Sequence, residues 1–350
     1  MNKGVRDVAW AAAGLVSAGV LAAVMVRSSP RWVSAIVKGA FEQAGSVVAR
    51  RMQAHVIPGV TEQTRLSYRP GDPDAFLTMH RRQGSAGLLP VVVWIHGGGW
   101  ISGNSSNVDP YLQIMTARTG IATVSVDYTP GPRASYPTAV QQIQDALAYL
   151  DQHAEELGVD RNRIVLAGDS AGAQLATQTA AIITNPDAAA VTAVAPALAA
   201  RQLRGMILHC GVYDPVALAG EPGPLGWVIQ QVLRAYTGTR SLVDSAALTQ
   251  MSAAQSVNGN FPPTFMSAGN ADQLTEVQSK PFAEHLERLG VPTRTVFFAQ
   301  DHEPRLPHEF QFNLDGDDGQ RVLAESIAFI TDLFNTTSGR GPGRLQGRFA

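Results

Sequence analysis

The sequence predicts an α/β domain: a mostly parallel central sheet with helices on both faces and a helical cap. Three observations carry this. Short apolar runs rich in β-branched residues alternate with stretches of helical period. One run ends in the glycine loop His96-Gly97-Gly98-Gly99. Another ends in a small-residue turn, Gly168-Asp169-Ser170-Ala171-Gly172, that leads into an Ala-rich stretch. Strands buried on both faces read as continuous apolar runs, and their alternation with helices implies a parallel sheet.

The 350 residues are 45% hydrophobic and 16% charged, which is ordinary for a folded chain with a sizeable core. The length suits one domain with insertions. A formal net charge of -2 gives no footprint for nucleic acid, which needs a marked basic excess. With one cysteine, Cys210, no intrachain disulfide can form. Cys210 ends the apolar run Leu203–Cys210 and reads as a small buried strand residue. Neither a paired-cysteine motif nor an HExxH spacing is present, so no metal is expected.

The elements follow in order. Lys3 and Arg6 precede an uncharged stretch, Val8–Val26, and Arg27 and Arg31 follow it. That length just spans a bilayer core as a helix. For residues 1–30 a membrane anchor, and hence membrane association, is the favoured expectation, with a secretory signal or a helix packed on the domain, and a secreted or cytoplasmic protein, as the alternatives. No small-residue cleavage site stands out, and cations at both ends leave the orientation open. From Trp32 to Met52 apolar residues recur at spacings of three and four, predicting an amphipathic lead-in or cap helix within 31–57. Strands are predicted at Ala75–His80, Val91–Ile95, Ile121–Val126, Arg163–Ala167, Met206–Cys210, Thr264–Ser267 and Thr295–Phe298. Helices are predicted at Tyr136–Leu157, Ala171–Ile183, Leu274–Leu289 and Gln320–Phe334. A long insertion, about 212–262, holds the amphipathic piece Trp227–Tyr236 and reads as a cover over a site. The catalytic domain is thus placed at 58–336. The Gly- and Arg-rich tail, 337–350, lacks periodicity and is expected to be disordered.

Two loops carry chemistry. Gly168–Gly172 fits G-x-S-x-G, with a strand running in and a helix running out. That context makes a nucleophile elbow, in which a tight turn lifts Ser170 clear of the sheet. Ser170 also stands at a helix N-terminus, where free N–H groups favour developing negative charge. The second loop, His96–Gly99, ends a strand, and such a loop supplies oxyanion donors beside the residue after the nucleophile. The donors would be the N–H groups of Gly98, Gly99 and Ala171. His96 reads as a structural tether of this loop. A phosphate-binding glycine loop is the bland alternative, but no G-x-x-x-x-G-K-[ST] exists.

With HGGG and GDSAG in this order, the chain resembles the hormone-sensitive-lipase-like esterases of the α/β-hydrolase superfamily, over roughly Pro58 to Phe334. Val126-Asp127-Tyr128 and Tyr136-Pro137 resemble that family's V-D-Y…F-P segment, although Thr129-Pro130-Gly131-Pro132 departs from it. The resemblance implies hydrolysis of short- to medium-chain carboxylic esters, with a small-molecule ester as substrate and no cofactor. It implies the triad order Ser, acid, His. Asp272 in Gly269-Asn270-Ala271-Asp272-Gln273-Leu274 matches the family's G-x-x-D-x-L acid, with helix capping as its bland role. For the base, His302 and His308 both follow the last strand. The family's His-x-Phe form favours His308. Tyr213, Asp214 and Trp227–Tyr236 are candidates for shaping the pocket. An amidase or peptidase using the same groups, and a catalytically silent hydrolase-like interaction protein, are the rival readings.

Overall fold

The computed structural model describes residues 30–335, apart from Asp244. Val8–Val26 and the 337–350 tail lie outside the described residues. Among the described residues, no helix is long and apolar enough to cross a membrane.

The chain opens with helix α1 (Pro30–Met52), then strands β1 (Val60–Ser67), β2 (Phe76–Arg82) and β3 (Leu89–Ile95). Helix α2 (Asp109–Thr119), β4 (Ala122–Val126), α3 (Thr138–Gln152), α4 (Ala154–Leu157) and β5 (Val159–Asp169) follow. Next come α5 (Ala171–Thr184), α6 (Pro186–Thr192) and β6 (Leu203–His209). The insertion holds α7 (Pro215–Ala219), α8 (Gly223–Thr237) and α9 (Ala246–Met251). The chain then forms β7 (Thr264–Ala268), α10 (Lys280–Arg288), β8 (Thr293–Phe297) and α11 (Asp317–Asn335).

The eight strands form one sheet in the order β1-β2-β4-β3-β5-β6-β7-β8. β1 and β2 pair antiparallel, and β2 pairs antiparallel with β4. All later pairings are parallel. From β3 the chain moves outward to β4 on one side, then returns to place β5 on the other. The crevice between β3 and β5 is therefore a topological switch point, where open α/β sheets bind ligands. Register sharpens this: Ile95 pairs with Gly168, so β3 and β5 end level.

Period-two alternation sorts the strand residues onto the two faces. Val91, Val93, Ile95, Val124, Leu166 and Leu208 belong to one buried cluster with Ile143 and Leu147 of α3 and Leu175 of α5. Val92, Trp94, Val165, Ala167, Ile207 and Phe265 belong to the other, with Tyr111 and Met115 of α2 and Leu323 and Ile330 of α11. Each fully buried Val, Leu, Ile, Phe or Met side chain among them contributes about 1.5–3 kcal/mol.

Several elements differ from the sequence expectation. The predicted Tyr136–Leu157 helix breaks at His153, whose Nδ1 lies 2.9 Å from the Tyr149 carbonyl and whose ring stacks on Tyr149. The predicted Leu274–Leu289 helix begins as a π-turn, Thr275–Ser279, before α10. β1 was not foreseen because this edge strand is largely exposed and shows no apolar alternation. α2 was not foreseen because Pro110, Tyr111, Leu112, Ile114, Met115 and Thr116 are all buried, which erases the one-sided period. α1 forms as expected, with Val33 and Val37 buried, and it packs on α8 over the ends of the strands.

Candidate active site

Ser170 stands between β5 and α5 with φ 51° and ψ −121°, a conformation that costs a non-glycine residue free energy. The turn holds because Gly168 and Gly172, two positions to either side, carry no side chain. A Cβ on Gly172 would lie 2.0 Å from the Ile95 carbonyl oxygen and 2.5 Å from that of His96. A Cβ on Gly168 would lie 2.6 Å from the Gly172 carbonyl carbon. Helix α5 thus leaves the sheet hard against the end of β3. The Ser170 N–H donates to the His209 carbonyl at 2.9 Å.

His308 reaches Ser170 from the loop after β8. Its Nε2 lies 2.9 Å from Ser170 Oγ, and its Nδ1 lies 2.8 Å from Asp272 Oδ2. Asp272 is 7% exposed, in the turn after β7, and its Oδ1 accepts the Leu274 N–H at 2.9 Å. A local turn bond, in place of the expected helix cap, and the contact with His308 therefore coexist on two oxygens of one carboxylate. Burial disfavours a charged His308, but the Asp272 carboxylate outweighs it and holds the imidazole well above its usual range.

The other candidate base sits elsewhere. His302 Nε2 lies 3.0 Å from Asp318 Oδ2 at the start of α11, and its ring packs on Phe298. Tyr213 and Asp214, expected near the pocket, are used differently. Tyr213 is buried against Phe282, with ring centroids 4.1 Å apart. Asp214 caps α7 by accepting the N–H groups of Val216 and Ala217. Both serve as supports of the cap.

The glycine loop lies beside the elbow. Gly98 has φ +104°, and a Cβ there would meet the Ser102 carbonyl oxygen at 2.4 Å. The Gly98 carbonyl accepts the Ser102 N–H at 3.1 Å and the Ser102 hydroxyl at 2.7 Å. Ala171 opens α5, and the first N–H groups of a helix have no intrahelical acceptor. His96 is a local support: its Nδ1 lies 2.8 Å from the Gly97 carbonyl and its ring stacks on Tyr128 at 4.4 Å. Burial lowers its pKa.

Sequence reasoning missed the stronger tie. Asp169 accepts the Trp94 indole N–H at 2.7 Å and the Gly97 N–H at 2.9 Å. A carboxylate next to the predicted nucleophile was the available signal. Glu309 completes this cluster. It follows His308 in the left-handed region, with φ 60°, and its carboxyl sits beside that of Asp169, both crowding Gly97. Burial, helped by the Asp169 carboxylate, pushes Glu309 up to about 7. Cys210 is also close: its sulfur and donor atoms of Asp272 and His308 lie within 4.8 Å of one another. Among the described residues, that trio could hold a metal ion, at the expense of the His308 contacts.

These groups open into a pocket of about 140 Å³. Phe41, Ala44 and Val48 of α1 form one wall, facing Val108 and Phe312. From α8, Val232 approaches Gly99.

A Ser-His-Asp cluster at the switch point of such a sheet defines an α/β-hydrolase architecture. Residues 92–311 match a family model described as an alpha/beta hydrolase fold, and the chain belongs to this family, in its hormone-sensitive-lipase-like branch. An alpha/beta hydrolase of Acanthamoeba polyphaga mimivirus is 25% identical over 64% of this chain and 63% of its own length. An esterase of Gibberella moniliformis is 25% identical over 59% of this chain and 64% of its own length. An acetyl esterase of Salmonella schwarzengrund is 37% identical, over 26% of this chain and 28% of its own. The chain thus spans less than two thirds of these curated relatives. Among solved structures, phosphonate-inhibited esterase B from Lactobacillus rhamnosis superposes with a TM-score of 0.76 at 22% identity, covering 89% of this chain and 98% of that one. The hyperthermophilic esterase of Pyrobaculum calidifontis gives 0.69 at 22% identity, covering 95% and 99%. Both likenesses are of fold.

Proposed function

We propose that the protein is a carboxylic ester hydrolase working by acyl transfer through Ser170, His308 and Asp272. The observation that carries this is the single imidazole bridging Ser170 Oγ at 2.9 Å and Asp272 Oδ2 at 2.8 Å. His308 takes the serine proton as Oγ attacks the ester carbonyl carbon. The resulting oxyanion rests on the N–H groups of Gly98, Gly99 and Ala171, each such donor being worth about 3 kcal/mol in the transition state. His308 then hands its proton to the departing alcohol oxygen. Water, deprotonated by the same imidazole, releases the carboxylic acid and frees Ser170. Asp272 holds the ring in the needed tautomer and offsets its charge.

The pocket supports short- to medium-chain acyl groups. At about 140 Å³ it compares with an engineered cavity of about 150 Å³ that takes up benzene. Its apolar walls favour an alkyl chain. The uncharged Val8–Val26 stretch supports membrane association of the whole chain, by its length and flanking cations.

A fluorophosphonate probe tests the reading directly. The wild-type chain should be labelled at Ser170, and Ser170→Ala should lose both labelling and ester turnover while keeping its thermal midpoint. An unlabelled wild-type chain would point to a silent fold. Preferential turnover of matched amides would move the protein to the amidase reading.

A further inference from the structure

Glu309 occupies a position that side chains avoid. Its φ of 60° is in the left-handed region, where a non-glycine residue persists only when its surroundings hold it. The residue lines the pocket and keeps 33% of its side chain exposed there. Of the other acidic and imidazole side chains in that wall, Asp169 is 3% and His96 1% exposed, and His308 is committed to Ser170 and Asp272. Helix α1 lines the pocket with the apolar Phe41, Ala44 and Val48, and Asn107 adds an amide beside Gly45. Glu309 therefore offers the pocket an acceptor beyond the catalytic groups.

Its place relative to His308 says which part of a substrate it meets. Glu309 Oε1 lies 4.0 Å from His308 Nε2. Nε2 must come within hydrogen-bond reach, about 2.6–3.2 Å, of the alcohol oxygen it protonates. The Glu309 carboxyl thus lies within reach of the leaving alcohol. We propose that Glu309 is a specificity residue that accepts a hydrogen bond from a second hydroxyl on the alcohol portion of the ester, selecting partial esters of diols and polyols over esters of simple alcohols. This rests on the ester-hydrolase reading above. The neighbouring Asp169 carboxylate is taken up by the Trp94 indole and Gly97 N–H groups, which leaves Glu309 as the carboxyl that meets the pocket.

The test compares kcat/KM for 2-hydroxyethyl butyrate, ethyl butyrate and 2-(dimethylamino)ethyl butyrate on the full-length enzyme. One neutral hydrogen bond predicts a hydroxyethyl-to-ethyl ratio of about five to ten in the wild type. Glu309→Gln keeps an acceptor oxygen and should retain most of that ratio. Glu309→Gly removes the carboxyl, relaxes the backbone, and should bring the ratio near one. Each ratio is internal to one preparation, so a general loss of activity cancels. A wild-type ratio near one, or an unchanged ratio in Glu309→Gly, overturns the proposal. Strong preference for the cationic ester over the hydroxyethyl ester also overturns it. Failure to turn over any of the three esters would instead overturn the esterase reading, and the inference with it.

Discussion

The Asp169 carboxylate accepts the Gly97 backbone N–H at 2.9 Å, binding the end of β5 to the glycine loop that follows β3. The proposed nucleophile and the loop proposed to hold the oxyanion are thus tied together by one side chain, which also accepts the Trp94 indole at 2.7 Å.

Asp169→Ala should therefore reach both stability and turnover. It strands two donors, each costing about 1–3 kcal/mol when buried and unpaired. We expect a thermal midpoint several degrees lower and a kcat at least about tenfold lower, since the oxyanion donors lose their fixed place. A variant with both values unchanged would show that the tie positions nothing.

The two late histidines should separate sharply. His308→Ala should lower kcat by about 10³-fold or more, as loss of a triad base does. His302→Ala removes the contact to Asp318 and the packing on Phe298, with an effect expected on stability alone. Steady-state kinetics of both variants decides this, and the reverse ranking would remove His308 from its role.

The pH dependence follows from the charge on His308. A base must be neutral to accept the serine proton, and Asp272 holds this imidazole protonated to well above its usual range. Activity should therefore rise with pH through an ionisation above about 6.5, the unperturbed imidazole value. Asp272→Asn removes the carboxylate, so the rising limb should move to lower pH while kcat falls steeply. A limb that stays in place in Asp272→Asn would assign it to another group.

Truncations separate the roles of the two N-terminal segments. The full-length chain should sediment with membranes and resist extraction by high salt, because apolar burial is not screened as charge attraction is. Removing residues 1–29 should give a soluble, active enzyme. Removing residues 1–52 also deletes Phe41, Ala44 and Val48 from the pocket wall, and should raise KM and lower stability. Free solubility of the uncleaved chain without detergent would defeat the anchor reading.

What the sequence revealed was local, and what it hid was remote. Ser170, Gly98 and Gly99 could be singled out because a tight elbow and a close backbone approach demand small residues at fixed spacings. His308 and His302 are six positions apart on one loop, and spacing alone could not say which faces Asp272. Asp169 lies 72 residues from Gly97 and 140 from Glu309, so no periodicity could signal that cluster. The burial of six residues spread around most of α2 blurred the very pattern by which helices are recognised.

The pocket wall contributed by α1 has a consequence for the order in which this molecule becomes competent. α1 leaves the ribosome first among the described elements, while His308 and Phe312 leave almost last. At about 5–20 residues per second the nascent chain waits many seconds with an apolar helix face that has nothing to cover. Until the far end of the chain emerges, Ser170 has no base and α1 no enclosed space beneath it. An unfinished chain is thus a poor hydrolase but a ready ligand for anything that shields greasy helices.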